Sequence, residues 1–508
     1  MLLNGVGLVN PSFAGAALRA TILGLCGIVA GVYLLTSFAS VGYPYLLEWM
    51  EGGTAEGIHR ILTGHPLYVR PTLDYTPYIY PPLYFWLSGG AAALIGDELL
   101  AARAVSFVST LLAAGLLYAG SSRIATALDA GGGRQHFYGI VAAALYLGCY
   151  ELSGRWYNLA RVDSLYIALL LLGFWLTRDD PGWLRSAAAG LVCALAFLTK
   201  QTAVVAIGPL LLSLLLVDLR RHLPAVIVFA VVGGGSMLLL DALSGGWSTY
   251  YLYDLPRAHR LDILGGTKDF VLHDTVGQIA IATVGAGAAL LMLPRRLPWR
   301  EWLPIWSLAV GMIASSWLAR IHTGGYHNVS MPLFATIALL SPLGLLSVVS
   351  SPAYRKRWGA LALAIAAVQV AVLVHNPWHK IPTEEDAAKM RVLLAWLKET
   401  PGDVLMFDMA FVQRSTGKSP YVLEMAARDV LRARGGRVRQ GFSRALQEAL
   451  DQKRFSALVL TEGMSYRSLE PALSRNYVPA GRILPQGSRH VIQGGVPNLI
   501  YRPAPSSD

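Results

Sequence analysis

The chain has 508 residues, 54% of them hydrophobic and only 14% charged, against about 25% charged in an average soluble domain. That composition excludes an ordinary soluble enzyme and marks a membrane protein. The net charge of +11 does not call for a nucleic-acid partner, because Lys and Arg also collect in the cytoplasmic loops of membrane proteins.

In chain order, the first apolar run, 14–39, is too long for a signal-peptide core and reads as a retained span. A helix needs about 20 apolar residues to cross the hydrocarbon core. Further candidate spans lie at 104–120, 137–152, 162–177, 186–199, 202–217, 224–243, 275–293, 303–319, 329–349 and 359–375. The stretch 186–217 reads as a hairpin of two spans, interrupted at Thr199-Lys200-Gln201-Thr202. The three cysteines, Cys26, Cys149 and Cys193, all sit in apolar runs with no CxxC spacing, so neither a disulfide framework nor a thiolate metal site is expected.

The stretch 82–96, "PPLYFWLSGGAAALI", is apolar but short, near the length of a re-entrant or interfacial helix. If it does not cross, the basic loops at Arg123/Arg134, Arg178/Arg185, Arg220/Arg221, Arg295/Arg296/Arg300 and Arg355/Lys356/Arg357 share the side of the N-terminus, which makes that side cytoplasmic. If it crosses, all five face outward against the rule. The first option gives eleven spans with the N-terminus inside and the C-terminus outside. It places 41–103, 153–164, the Lys200 hairpin, 244–274 and 319–328 together on the extracytoplasmic face.

After residue 375 the chain turns charged, and strand-length runs alternate with helical ones. "DVLMFDM" (403–409) and "SALVLTEG" (456–463) read as strands; 383–400 and 443–455 read as helices, with Thr383 and Asp386 as a capping pair. The expected division is a membrane domain, 1–375, with juxtamembrane helices in 41–103, and a small soluble α/β domain, 376–508.

Polar groups concentrate on the outer face. Glu48 and Glu51 are three apart and share a face if helical; alone they could be solvated acids at a helix end. Asp163 opens a span, and ionisable groups at membrane depth default to functional roles with a named partner; the local partner is Arg161, as an ion pair. Lys200 interrupts its hairpin. Arg320, His322, Tyr326 and His327 share one loop, and Arg257, His259 and Arg260 another. Each could anchor headgroups through an amphipathic stem. Together they suggest a site for an anionic headgroup such as a phosphate. His322 and His327 could instead ligate a divalent metal, and metal dependence stays open. There is no GxxxxGK[ST], HExxH or GxSxG, and "AGGGR" (130–134) lacks the strand-turn-helix context of a dinucleotide site. Nothing points to a nucleotide-driven pump, a metalloprotease or a serine hydrolase.

Six segments in this order, "EWMEGGTAEGIHRILTGHPLY", "YPPLYFW", "ARAVSF", "ARVDSLYIALLLLGFW", "FLTKQTAVVAIGP" and "GGYHNVSMPLFA", resemble the GT-C superfamily of membrane glycosyltransferases. The likeness is to the branch of protein O-mannosyltransferases and the lipid A aminoarabinose transferase, and it covers roughly residues 10–375. The resemblance implies a multi-pass enzyme of a bacterial-type inner membrane, with the active site and tail outside. Such an enzyme moves a sugar from a polyprenyl-phosphate carrier to a glycan, lipid or protein acceptor. It implies a general base at Glu51, with Glu48 as the near alternative, and a second acid at Asp163. Lys200 matches the family lysine, and Arg103 falls in the third segment. Where some members carry a donor-binding Lys before Pro-Pro, this chain has Tyr80. The donor phosphate is then expected among Lys200, Arg320, His322, Tyr326, His327, Arg260, Arg103 and Tyr80. A leaving phosphate diester needs cations for the charge it gains and a base for the acceptor proton. The competing class is a secondary transporter or flippase, which would place its polar groups near the midplane, often with inverted repeats; no repeat is visible here.

Overall fold

The computed structural model describes residues 11–505 except 129, 351 and 408. The side chains of 11–13 and 352–357 also lie outside the described residues, and with them the expected basic triplet Arg355, Lys356 and Arg357. All eleven expected spans fall on helices. The first is α1 (Pro11–Val41). The next two helices, α2 (Glu51–Leu62) and α3 (Leu83–Ile95), belong to the first loop. Then come α4 (Glu98–Ala127), α5 (Gln135–Gly148), α6 (Asp163–Leu176), α7 (Trp183–Thr199) and α8 (Val204–Val217). The span expected at 224–243 is one continuous rod, Leu219–Ser244, carrying a π-helical turn at Ala230–Gly234. Helices Ala280–Arg296, Trp299–Ile321, Met331–Ser350 and Pro352–Val372 complete the bundle. Among the described residues, five helices are long and apolar enough to cross by themselves. A sixth crossing arises if Ile263–Thr275 and Ala280–Arg296, bent by 95°, form one span.

Local sequence explains the turn that matters most. Gly96 ends α3 in the left-handed region at φ 83°, and Asp97 caps α4 by accepting from the Leu100 amide at 2.8 Å. The two helices therefore fold back on each other, and the Tyr84 hydroxyl donates to the Ala102 carbonyl at 2.7 Å. At 13 residues, α3 is about 20 Å long. Glu56, before it, and Glu98, after it, both pair with Arg414 of the tail. Helix α2 and the start of α4 thus both lie against the tail. Gly53 allows the close packing of α2: a Cβ there would stand 2.2 Å from the Tyr78 ring.

The tail holds a four-stranded mixed sheet in the order β1-β2-β4-β3. The two expected strands are β1 (Val404–Met406) and β2 (Ala457–Thr461), a parallel pair. The others are β3 (Tyr477–Arg482) and β4 (Pro497–Pro503), and β4 runs antiparallel to both β2 and β3. Of the expected strand 403–409, Asp408 lies outside the described residues. Thr383 and Asp386 form a full capping box on helix Glu384–Glu399. The second expected tail helix starts earlier than its pattern suggested, at Arg437–Asp451.

The tail is docked firmly on the membrane part. The Val422 amide donates to the Leu73 carbonyl at 2.7 Å, Ile492 to Leu47 at 2.9 Å and Arg434 to Ala258 at 3.1 Å. Sidedness is testable with single cysteines at exposed positions, since the native cysteines are all buried. Thr63→Cys should react with an impermeant maleimide added outside intact cells, and Arg134→Cys only after permeabilisation. The reverse pattern would invert the orientation.

Candidate active site

Behind the site lies a closed ion pair. Arg103 on α4 and Glu51 at the start of α2 are both fully buried. Nε and Nη2 of Arg103 donate to the two Glu51 oxygens at 2.9 and 2.7 Å. Nη1 donates to the Tyr43 carbonyl at 2.6 Å and Nη2 also to that of Tyr45 at 2.7 Å. Glu51 further accepts from the amides of Leu47 (2.8 Å) and Ala160 (3.0 Å). Burial pushes its pKa up, but the Arg103 charge and these hydrogen bonds outweigh that and hold it below the usual value. Both oxygens are occupied by strong donors.

In front of this pair is a cavity of about 560 Å3. Arg161 lines it. Its side chain is almost fully buried, stacked 4.3 Å from the Trp156 ring centroid and flanked by Tyr78 and Tyr80 at 5.9 and 5.6 Å. Nη2 donates to the Tyr80 hydroxyl at 3.1 Å. Nε and Nη1 are buried with no partner. Burying a cation in this way is costly unless something answers its charge. The pair expected between Arg161 and Asp163 does not form. Asp163 instead binds the Lys200 ammonium at 2.6 Å and the Asn328 amide at 3.0 Å, and its Oδ2 has no donor. The fully extended Lys200 backbone between α7 and η-turn Gln201–Ala203 turns that ammonium inward.

Glu48 completes the centre. It is fully buried, just behind the wall formed by its neighbours Trp49 and Met50. Among the described residues only the Met50 amide donates to it, at 3.0 Å to Oε2, and Oε1 has no partner. Burial pushes its pKa up to about 8, against the pull of Arg161 and with a further push from Glu51. The two acids of one short segment are therefore driven apart: Glu51 is held ionised by its partners, while Glu48 is kept basic by its isolation.

Of the other residues singled out in the sequence, Tyr80, Lys200, His322 and Tyr326 line the cavity. Arg103 does not, being committed to Glu51. Arg320 is paired with Asp274, Nε to Oδ2 at 3.0 Å, and is not part of the wall. Arg260 is exposed, and its carbonyl holds the Thr323 amide at 3.1 Å. His327 packs edge-on against Tyr326 with ring centroids 4.5 Å apart. His322 Nε2 meets the Pro256 carbonyl at 3.0 Å. Among the described residues, no group of three or more His, Cys, Asp or Glu is placed to hold a metal ion.

The structure adds residues that sequence reasoning passed over. Arg161 was visible only as a partner for Asp163. The tail helix Glu424–Arg432 brings Arg428, Asp429 and Arg432 to the cavity, and Gln493 joins them from the loop before β4. Burial pushes the Asp429 carboxyl up to about 7, although Arg432, Arg428 and Arg161 pull it down. Nothing in the spacing of "EMAARDVLR" announces that placement.

Residues 80–244 match the family described as dolichyl-phosphate-mannose-protein mannosyltransferase. The fold is similar to that of ArnT from Cupriavidus metallidurans bound to undecaprenyl phosphate, with 15% identity and a TM-score of 0.58 over 94% of this chain and 98% of that one. It is likewise similar to the apo state of the same protein, with 14% identity and a TM-score of 0.57 over 94% and 97% of the two chains. No curated protein matches in sequence. The chain shares the GT-C-like fold of these structures, and its residues 80–244 carry the likeness to the mannosyltransferase family.

The two neighbouring acids should respond differently to the same change. Glu51→Gln leaves the Arg103 charge buried without its counter-ion, a loss of about 3–5 kcal/mol for a broken buried pair, visible as a large drop in melting temperature in detergent. Glu48→Gln should melt close to wild type. Equal melting temperatures for the two variants would contradict this division of roles.

Proposed function

We propose that the protein is an integral membrane glycosyltransferase that takes a monosaccharide from a polyprenyl-phosphate donor and transfers it, with inversion, to an acceptor at the extracytoplasmic face that carries the tail. The observation that carries this reading is Arg161: a buried guanidinium facing a cavity, with two donors unanswered. A phosphate diester supplies what is missing, a single negative charge shared by two non-bridging oxygens that can accept from the unanswered guanidinium protons.

The chemistry then follows from the neighbours. The Arg161 guanidinium holds the donor phosphate through protons that Tyr80 leaves unused. The Tyr80 hydroxyl accepts from Arg161 and retains its own proton to donate. The Lys200 ammonium, oriented by Asp163, adds positive charge on the same side. The acceptor hydroxyl or amine attacks the anomeric carbon and gives its proton to Glu48 Oε1. The carbon–oxygen bond to phosphate breaks, and its electron pair leaves with the carrier phosphate. Charge grows on that phosphate in the transition state, where preorganised donors are worth most. Glu48 suits the base role better than Glu51, because a base needs a free oxygen and a pKa near the working pH. The lipid tail of the donor stays in the bilayer while its headgroup reaches the cavity at the membrane surface.

Three measurements test the reading. Arg161→Gln should weaken binding of undecaprenyl phosphate roughly 10- to 100-fold, as for loss of hydrogen bonds to a charged group. Glu48→Gln should lower transfer from a panel of polyprenyl-phosphate sugars by about 10²–10⁴-fold and leave carrier binding intact. The wild-type kcat/KM should fall as pH drops below about 8, because only the unprotonated Glu48 accepts the acceptor proton. Movement of the lipid-linked sugar across vesicles with no covalent change would instead identify a transporter.

A further inference from the structure

The tail does more than cover the site. We infer that the loop 489–495 of the tail is the clamp that positions Glu48, so that the soluble domain is an obligate part of the catalytic centre. This rests on the reading of Glu48 as the base.

The contacts are specific to the segment that carries that residue. The amides of Ile492 and Gln493 donate to the Leu47 carbonyl at 2.9 and 3.4 Å. Glu48 and Gln493 form a parallel bridge, so the segment is held as a short added strand against the tail. The buried His490 approaches the Leu46 carbonyl through Nδ1 at 3.3 Å. Gly494, at φ 93°, lies under Trp49; a Cβ there would stand 2.7 Å from Trp49 Cδ1. Gln493 and Tyr326 both line the cavity, and Tyr326 in turn feels the Glu48 charge. Residues 46 to 49 are thus gripped one after another by residues more than 440 positions later in the chain.

That grip decides what Glu48 can do. Met50, the only donor to Glu48, lies in the same segment, and α2 on the far side is fastened by the Arg103 pair. With both ends fixed, the side chain is buried and Oε1 is left free. The groups that bear on its charge are Arg161 from the loop before α6, Glu51 from α2 and Tyr326 from the loop before helix Met331–Ser350. His490 adds no charge, because burial lowers its pKa to about 4. A displaced segment would let water reach the carboxylate and remove the desolvation that makes it basic.

The test uses the full-length protein in lipid nanodiscs. Gly494→Val pushes Trp49 away and shifts the segment. The expected result is undecaprenyl phosphate binding within twofold of wild type and a kcat lower by about 10²-fold, the size of loss expected for a 1 Å misplacement. The acid limb of the pH–rate profile should move from about 8 toward the ordinary carboxylate range. A merely structural role for the loop would not move that limb. His490→Phe keeps an aromatic ring, slightly larger, but removes the contact to Leu46, and should shift the limb in the same direction by less; it serves if Gly494→Val does not fold. A folded variant with the limb in its wild-type position, or one that loses carrier binding in step with transfer, overturns the clamp. Glu48→Gln separates the two layers. Full transfer in that variant overturns the base assignment and the catalytic purpose of the clamp together. An inactive Glu48→Gln beside an unshifted Gly494→Val overturns the clamp alone.

Discussion

The Arg103–Glu51 pair is the constraint on which the site depends. Two charges removed from water destabilise a fold by several kcal/mol each unless geometry and further hydrogen bonds offset the loss. Here the offset is complete on both sides: the guanidinium answers two carboxylate oxygens and two carbonyls, and the carboxylate also takes two amides. Those partners come from the stretch 43–47, beyond the end of α1 at Val41, and from α2, α4 and the loop before α6. One buried interaction therefore fixes four segments relative to one another. Ala160, whose amide it holds, is the residue before Arg161, and Leu47 is the residue before Glu48. Arg161 at the cavity and Glu48 behind its wall are both placed by their neighbours' bonds to Glu51.

Around the cavity the logic reverses. Most buried polar atoms in folded proteins have partners, yet here Arg161 Nε and Nη1, Glu48 Oε1 and Asp163 Oδ2 have none. Unanswered donors and acceptors of opposite sign, close to one cavity, describe a substrate by its complement: an anion for the guanidinium and a proton source for the carboxylate. The neutral rings of Trp156, Tyr78 and Tyr80 surround Arg161 and keep water away, which strengthens any charge–charge contact formed there. Lys200, by contrast, has an internal partner. Its role is tied to Asp163 rather than to an isolated ammonium.

The tail shares in this architecture. Its helix Glu424–Arg432 and the loop before β4 supply part of the cavity wall, and its backbone is bonded to the first loop at several points. A division at residue 375 describes the change of composition along the chain, but the cavity lies across it. The mixed charges of Arg428, Asp429 and Arg432 stand opposite the membrane-side cations and give the enclosure a second polar wall.

Sequence alone determined much of the membrane part. Apolar length located all eleven helical segments and set the short helix at 82–96 apart from them, since length is a local signal. Glu48, Asp163 and Lys200 stood out because polar groups are conspicuous in apolar surroundings, and Tyr80 only through the family resemblance. In the tail the strongest runs, β1 and β2, were legible. The edge strand β3, with Pro479 inside it, and β4, bounded by Pro497 and Pro503, were not, because proline argues against a strand until its place in the sheet is known. Only the tertiary structure decided which charge answers which. Asp163 has Arg161 two residues away, yet the helix ends bring Lys200 and Asn328 to it. Glu48 and Glu51 look equivalent in sequence, yet Glu51 is paired with Arg103 and Glu48 accepts from the Met50 amide alone among the described residues. Whether a carboxylate is a strut or a base depends on its burial and partners, and those come from residues tens to hundreds of positions away.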